Sequence, residues 1–221
     1  MVRKKKDDAQ LTCKALLDAA EHLFYENGVA KTTLNDIAAA AGLTRGAIYW
    51  HFTDKTDLIQ AMFARAMLPT ESMLNELLQA ANSNPLHTLR TMCVQVLTNL
   101  AKSPEQQRVF SIMFHRCEHV GPMVKVFENK RAKRDECLVQ VQTALAKAAS
   151  LGQLPADTDV VLANQVISNF MSGTMSEWLF SPDSFDLAAC APAMVDMLMA
   201  GLRANPPRLA ATSPQLIANA A

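Results

Sequence analysis

Apolar residues recur every three or four positions along most of this chain, which is the spacing of one face of an α-helix. The chain shows neither the alternation of a half-buried β-strand nor an internal repeat nor βαβ spacing. Prolines near the starts and after the ends of the apolar segments mark most of the boundaries between them. The pattern predicts an all-α protein with about nine helices in all.

These boundaries predict individual helices. The first runs from residue 7 or 8 to 27, where Gly28 ends it. Two short helices follow, and then a longer one from Lys55 to about residue 78, which Pro69 is expected to bend or break. The remaining segments predict helices at 85–102, 104 to about 119, 122–150, 157 or 159 to 180, and 185 to about 205.

Residues 32–58 carry the most detailed local pattern. Thr33 is a suitable N-cap for the first short helix, whose buried stripe would be Leu34, Ile37, Ala38 and Ala41. Gly42 follows where a helix end needs a residue that tolerates positive φ, and Thr44 is placed to cap the next helix.

The second short helix, Arg45–His51, is predicted to turn Ile48 and Phe52 inward and a polar face outward. Gly46 lies within it although glycine there costs about 1 kcal/mol relative to alanine, which suggests that another molecule approaches the backbone closely. Lys55 begins the following helix, where a cation is unfavourable unless it faces an anion such as a phosphate. The pattern predicts a helix-turn-helix in an N-terminal three-helix bundle, followed by a larger C-terminal helical bundle.

The segment TTLNDIAAAAGLTRGAIYWHF followed by DKTDL resembles the DNA-binding signature of TetR-type bacterial transcriptional repressors, without a gap over residues 32–58. The resemblance implies that the helix Arg45–His51 enters the major groove of DNA. Thr44, Arg45 and Ala47 would then lie nearest the base edges. The residues implied to lie against phosphates are Thr33, Tyr49, His51 and Lys55.

A basic N-terminal stretch adds to this surface. Beside a helix-turn-helix, residues 3–6 are expected to form an arm that reaches the minor groove or phosphates. The full set of predicted DNA-binding residues is Lys4, Lys5, Lys6, Thr33, Thr44, Arg45, Gly46, Ala47, Tyr49, Trp50, His51 and Lys55.

Residues 115–118, 152–155 and 178–187 are similar to segments in the branch of this family that represses multidrug efflux pumps. The resemblance implies a large, mostly apolar cavity in the C-terminal bundle that accepts drugs, dyes or plant phenolics. Such a pocket needs apolar walls with a few polar groups, and the twelve methionines would suit adaptable walls. The candidate ligand-binding residues are Met67, Met92, Val96, Phe110, Met113, Phe114, Cys137, Val141, Ser168, Met171 and Ser172.

The last two predicted helices are apolar around more than one face, so each is either wholly internal or partly buried by a second chain. The resemblance favours a homodimer in which these helices form a four-helix interface. The bend or break expected at Pro69 predicts a domain division near it, and the residues after the last helix are short of charge and large side chains. We expect a DNA-binding domain at 1–54, a connecting helix at about 55–79, a ligand-binding and dimerisation domain at 70–205, and a disordered tail at 206–221.

Composition narrows the class of protein. Half of the 221 residues are apolar, which allows a sizeable core, and a formal net charge of zero does not exclude DNA binding because a local positive surface is enough. No apolar run approaches the ~20 residues that cross a bilayer, and no signal peptide is evident, so we expect a cytoplasmic protein without membrane contact.

Other chemistry has weaker support. The five cysteines are scattered, which argues against a disulfide framework and a zinc cluster. His115 and His119 have a spacing that could hold a metal, but no further ligand lies near, and Cys117 or Cys137 could act as a redox sensor. No nucleophile elbow, P-loop or dinucleotide fingerprint occurs, so we expect neither an enzyme nor a cofactor.

The resulting hypothesis is a homodimeric TetR-type repressor of a multidrug efflux pump. It would bind an operator in double-stranded DNA and leave it when a small apolar or aromatic effector enters the bundle. Two alternatives remain: a metal- or thiol-responsive regulator on the same fold, and a helical ligand-binding protein without DNA binding.

Overall fold

The structure, a computed structural model, describes residues 2–80, 84–118, 121 and 123–209. These residues contain nine α-helices, one 3-10 helix and no β-strand, which confirms the predicted all-α class. The helices are α1 (Val2–Asn27), α2 (Leu34–Ala40), α3 (Arg45–His51), α4 (Lys55–Ala80), α5 (Pro85–Lys102), α6 (Pro104–His115), α7 (Met123–Ser150), α8 (Val160–Phe180) and α9 (Leu187–Ala204), with the 3-10 helix Pro182–Ser184 between α8 and α9.

Helix boundaries agree with prediction where local capping sets them. Helices α3 and α5 have the predicted limits, and Gly42 after α2 adopts a φ of +68°. Helix α1 differs because it begins at Val2, so Lys4, Lys5 and Lys6 lie within a helix rather than in an arm that precedes it.

Helix α6 also ends earlier than predicted, at His115 rather than near residue 119. The backbone of Arg116 leaves the helix, and its carbonyl accepts a hydrogen bond from the Val29 N–H at 3.3 Å. This boundary is therefore set by a contact with the turn after α1, which lies far away in the sequence. His119 lies outside the described residues.

The N-terminal bundle packs around a small apolar core. Helices α1, α2, α3 and the start of α4 contribute its fully buried side chains, Leu16, Phe24, Ile37, Ile48 and Leu58, and Phe52 is also buried. Both Ile48 and Phe52 therefore point inward as predicted. Their burial fixes which face of α3 remains outside.

Helix α4 joins the two bundles. It runs without interruption from Lys55 to Ala80 and includes Pro69, so the proline does not break the helix. The same helix packs against α1 in the N-terminal bundle and against α5, α6 and α7 in the C-terminal bundle. The domain borders proposed above remain predictions.

Helix α5 is central to the C-terminal bundle and packs most extensively along α9. A hydrogen-bonded ion pair crosses this contact, where Arg90 Nη2 lies 2.9 Å from Asp196 Oδ2 and holds the pKa of Asp196 below its usual value. By length and composition alone α9 could cross a membrane. Its buried face packs inside the protein, through Leu187, Ala191, Val195, Met199 and Leu202.

The predicted disordered tail is wrong for its first residues. Asp159 N–H donates to the Pro207 carbonyl at 2.8 Å, Leu209 N–H donates to the Asp157 carbonyl at 2.9 Å, and Arg208 pairs with Asp157. The chain after α9 thus lies against the N-terminus of α8. Residues 210–221 lie outside the described residues.

A buried carboxylate joins the two bundles. Glu21 of α1 is 2% exposed and accepts from Arg108 Nε of α6 at 2.6 Å and from Arg65 Nη2 of α4 at 3.0 Å. Arg65 also reaches Asp18 Oδ1 at 2.6 Å. Because a buried charge is tolerated only when it is paired, this cluster fixes α1 against both α4 and α6.

We expect Glu21→Gln to lower the free energy of unfolding by about 3 kcal/mol, because it removes a buried charge and leaves two arginines facing each other. Urea unfolding followed by circular dichroism measures the change. Glu26→Gln, on the exposed side of the same helix, is the matched control and should change stability by less than about 0.5 kcal/mol. Equal unfolding midpoints for the two variants would contradict the role given to Glu21.

Candidate DNA-binding face and effector cavity

Side chains cap both helices of the helix-turn-helix. The Thr33 hydroxyl accepts from Asp36 N–H at 3.2 Å, while Asp36 Oδ2 accepts from Thr33 N–H at 2.9 Å, and these two bonds form a complete capping box at α2. The Thr33 hydroxyl also donates to Asp36 Oδ2 at 2.7 Å, and this bond, together with the one from the Thr33 N–H, lowers the pKa of Asp36. Thr44 accepts from Ala47 N–H at 3.3 Å and so caps α3. Thr33 and Thr44, both predicted DNA contacts, therefore already hold the frame of this motif.

The outer face of α3 is open. Arg45 and Gly46 are exposed, Tyr49 is 47% and Trp50 is 74% exposed, and Ala47 and His51 are half-buried. The Arg45 guanidinium lies 5.6 Å from the centre of the Tyr49 ring, a distance at which cation–π attraction acts. Exposure of two large aromatic side chains on one short helix indicates a surface for a partner molecule.

Gly46 is not required by packing within the chain. A Cβ placed on it would meet only the Thr44 hydroxyl oxygen, at 3.9 Å, and its φ is not positive. The fold would accept alanine here, which has the higher helix propensity. Packing among the described residues therefore does not require glycine here, and the close approach of an outside molecule to the backbone at Gly46 remains a prediction.

Lys55 has a structural role that its sequence context does not predict. Its ammonium group donates to the Val29 carbonyl at 2.8 Å and to the Thr32 carbonyl at 3.1 Å, which ties the start of α4 to the loop between α1 and α2. An ammonium has three donors, so one remains for a phosphate. Lys4, Lys5 and Lys6 belong to α1, and their side chains lie outside the described part of the chain.

A cavity of about 630 Å³ lies within the C-terminal bundle. All eleven residues predicted to bind a ligand line it: Met67, Met92, Val96, Phe110, Met113, Phe114, Cys137, Val141, Ser168, Met171 and Ser172. The walls come from α4, α5, α6, α7 and α8, and the Phe110 and Phe114 rings are stacked with centroids 6.1 Å apart. This volume lies in the usual range for a small-molecule pocket.

Ten further lining residues were not predicted: Leu89, Cys93, Leu100, Gln106, Phe127, Arg131, Leu138, Asn164, Ile167 and Met175. Asn164 is 2% exposed and donates to the Leu138 carbonyl at 2.9 Å, and Gln106 donates to the Ala66 carbonyl at 3.3 Å. Arg131 shares one face of α7 with Phe127 and Leu138, at i, i+4 and i+11, but this spacing does not tell a face that borders a cavity from one that borders solvent.

The geometry gives little support to thiol or metal chemistry. Burial, together with the facing Cys137 thiol, raises the pKa of Cys93 to about 12, so this cysteine is protonated at neutral pH. Cys117 is buried, and the His115 ring contacts the Ser176 carbonyl at 3.0 Å. Among the described residues no group of three His, Cys, Asp or Glu side chains could hold a metal ion.

Helix α6 lies between the cavity and the helix-turn-helix domain. Phe110, Met113 and Phe114 of this helix line the cavity, while Arg108 pairs with Glu21 of α1. At its end the Arg116 guanidinium lies 4.8 Å from the centre of the Tyr25 ring of α1. A shift of α6 would therefore act on α1 directly.

Family models match both the helix-turn-helix segment and the C-terminal bundle of this chain. One family model, described as bacterial regulatory proteins of the tetR family, matches residues 16–62, and another, the C-terminal region of MAATS-type transcriptional repressors, matches residues 84–203. The HTH-type transcriptional regulator TtgR of Pseudomonas putida is 35% identical over 206 residues, which cover 93% of this chain and 98% of TtgR.

Two solved structures are similar over most of the chain. NalD, the secondary repressor of the MexAB-OprM multidrug efflux pump in Pseudomonas aeruginosa, superposes with a TM-score of 0.80 at 30% identity, covering 88% of this chain and 97% of NalD. A complex of SmeT with triclosan gives a TM-score of 0.77 at 31% identity, covering 86% of this chain and 91% of SmeT. SmeT is the repressor of the Stenotrophomonas maltophilia multidrug efflux pump SmeDEF.

Proposed function

The chain belongs to the TetR family of bacterial transcriptional regulators, and from this premise we propose that it is a homodimeric repressor of a multidrug efflux pump. It binds a near-palindromic operator through α3 and is released when a small apolar or aromatic molecule enters the cavity. NalD and SmeT, both repressors of such pumps, support this proposal. The role of the TetR family is to regulate transcription, so we propose no enzymatic activity. Its place of action is the cytoplasm, where its operator lies.

The proposal of DNA binding rests on the outward face of α3. Burial of Ile48 leaves Arg45, Tyr49 and Trp50 exposed on the opposite side, and the capped turn before α3 fixes its angle to α2. The Thr44 hydroxyl uses an acceptor position for its cap and keeps its hydrogen as a donor. A short, rigid, exposed helix of this kind suits the major groove.

The cavity and α6 support effector release. A ligand that fills the cavity presses on Phe110 and Phe114, and α6 passes this displacement to α1 through Arg108 and Glu21. If ligand and DNA favour different positions of the two N-terminal domains, each weakens the binding of the other, and a coupling of about 1–3 kcal/mol is enough for a clear response.

Exposed apolar side chains on α8 and α9 support a homodimer through these helices. They are Val161, Leu162, Val166, Phe180 and Met197. Exposed apolar patches of this kind mark protein interfaces, and two copies related by two-fold symmetry would bring two α3 helices to successive turns of the same DNA face.

For DNA binding we expect Arg45→Ala to reduce the preference for operator over unrelated duplex by about tenfold or more, because it removes a contact to a base edge. Tyr49→Phe should weaken binding to both duplexes by a similar factor, about fivefold, because it removes one hydrogen bond to a phosphate. Fluorescence anisotropy with a duplex from upstream of its own gene, at several salt concentrations, measures both effects. Equal losses on both duplexes for Arg45→Ala would contradict base reading by that residue.

Gly46→Ala tests whether DNA approaches the backbone of α3 closely, in a variant whose fold should be intact. The chain has room for the added methyl group, so thermal stability should hold or rise while affinity for the operator falls. Unchanged affinity in this variant would show that nothing approaches the backbone at Gly46.

For the effector we expect Ser168→Phe to bind the operator normally but to need at least about tenfold more ligand for release, because the new ring fills part of the cavity. Triclosan, the ligand in the SmeT complex, is a suitable probe, and operator release is followed by anisotropy. Thr143→Phe, on the exposed side of α7, is the control and should respond like the parent protein.

The same assay separates the rival mechanisms. Release by Zn²⁺ or by hydrogen peroxide, lost in His115→Ala or Cys117→Ser, would favour a metal- or thiol-responsive regulator. Failure to retain any duplex from the upstream region would favour a ligand-binding protein without DNA binding.

For the dimer we expect Val166→Asp combined with Met197→Asp to give a monomer of 24.2 kDa in light scattering, and to weaken operator binding. Met197 is 72% exposed in the single chain, so the substitutions should not disturb its core. Leu11→Asp, at an exposed apolar position of α1, is the control and should leave the mass of the parent protein unchanged. A double variant that keeps the parent mass would place the interface elsewhere.

A further inference from the structure

The described walls of the cavity carry a single formal charge. Apart from Arg131 of α7, the lining residues are apolar, thiol, hydroxyl or amide side chains, and no Asp, Glu, Lys or His is among them. Cys93, the most buried of the thiols, is protonated at neutral pH because its pKa is raised to about 12. The described walls therefore offer a ligand no negative charge.

Arg131 is placed to meet a ligand at the edge of this cavity. It lies on the cavity-facing stripe of α7 between Phe127 and Leu138, and its side chain is exposed, so it stands where the apolar space opens to solvent. It has no ion pair or hydrogen bond with any described residue.

The acidic residues near Arg131 do not add a negative charge to the cavity lining. Glu128 and Asp135 lie about one turn away on either side of Arg131 along α7, and neither lines the cavity. Arg131 is therefore the one charged residue among the described lining of the cavity.

We propose that the cavity discriminates by charge, taking neutral and acidic amphiphiles and disfavouring cationic ones. This inference rests on the proposed function, since it names the class of effector. The apolar body of the ligand lies among the phenylalanine and methionine side chains, and a carboxylate or phenolate at one end pairs with Arg131. A cationic end would lose its hydration without gaining a counter-charge.

The solvent exposure of Arg131 sets the expected difference in affinity between charged and neutral ligands. Because Arg131 is in contact with solvent, pairing with it should favour an acid over the matching neutral alcohol by about two- to fivefold. The matching amine, which meets a like charge and no acceptor carboxylate, should bind about tenfold more weakly than the alcohol.

Isothermal titration of the full-length protein tests this with three probes that share one body: ω-phenylhexanoate, ω-phenylhexanol and ω-phenylhexylamine at neutral pH. We expect affinity to fall in that order. Amine binding as tight as that of the acid, equal affinity for all three, or no binding of any of them would overturn the proposal.

Variants assign the discrimination to one side chain. Arg131→Gln should bring the acid to the affinity of the alcohol and leave alcohol binding unchanged, while Arg131→Lys should keep the order of the three probes. Lys147→Gln, an exposed cation of the same helix that does not line the cavity, is the matched control. An acid-to-alcohol ratio that is the same in Arg131→Gln and in the parent protein would remove Arg131 from the site.

The alcohol separates this inference from the proposed function. If it binds but fails to release the operator, effector control is wrong, while charge discrimination is judged by the affinities alone. If it releases the operator and the three probes bind equally, repression by ligand stands and the charge inference fails.

Discussion

The structure depends on one carboxylate that has been removed from water. Glu21 lies at the junction of α1, α4 and α6, and its charge is acceptable there because Arg65 and Arg108 surround it. An apolar contact at this position could slide, whereas a paired buried charge has few alternative partners. The helix-turn-helix domain is thus attached to the C-terminal bundle at a defined position.

The same attachment places the helices that line the cavity in contact with the helix-turn-helix domain. Helix α6 has one face in the cavity and the other on α1, and the carbonyl of its C-cap residue, Arg116, accepts from the Val29 N–H in the turn after α1. Lys55 continues the connection, since it bonds the Val29 and Thr32 carbonyls from the first residue of α4. The turn before α2 is therefore held from both sides, by α6 and by α4.

The cavity combines a permissive wall with few fixed polar groups. Methionine and phenylalanine side chains supply adaptable contact area, while the amides of Gln106 and Asn164 are oriented by backbone carbonyls of α4 and α7. In pockets of this kind, shape and apolar area set affinity broadly, and a few polar groups orient the ligand.

The sequence by itself determined the presence of the nine described α-helices, the helix-turn-helix with its two threonine caps, and the inward direction of Ile48 and Phe52, because caps and apolar periodicity act within a few residues. It also placed eleven residues that line one cavity, through resemblance to a family rather than through periodicity. Only the tertiary structure decided that Lys55 bonds two carbonyls, that Arg131 borders the cavity, that α6 ends at His115 and that residues 207–209 lie against the segment just before α8. In each of these cases the deciding partner lies on another helix or loop. The residues that neighbour a charged or polar side chain in the sequence do not indicate whether it faces solvent or a distant carbonyl, carboxylate or cavity.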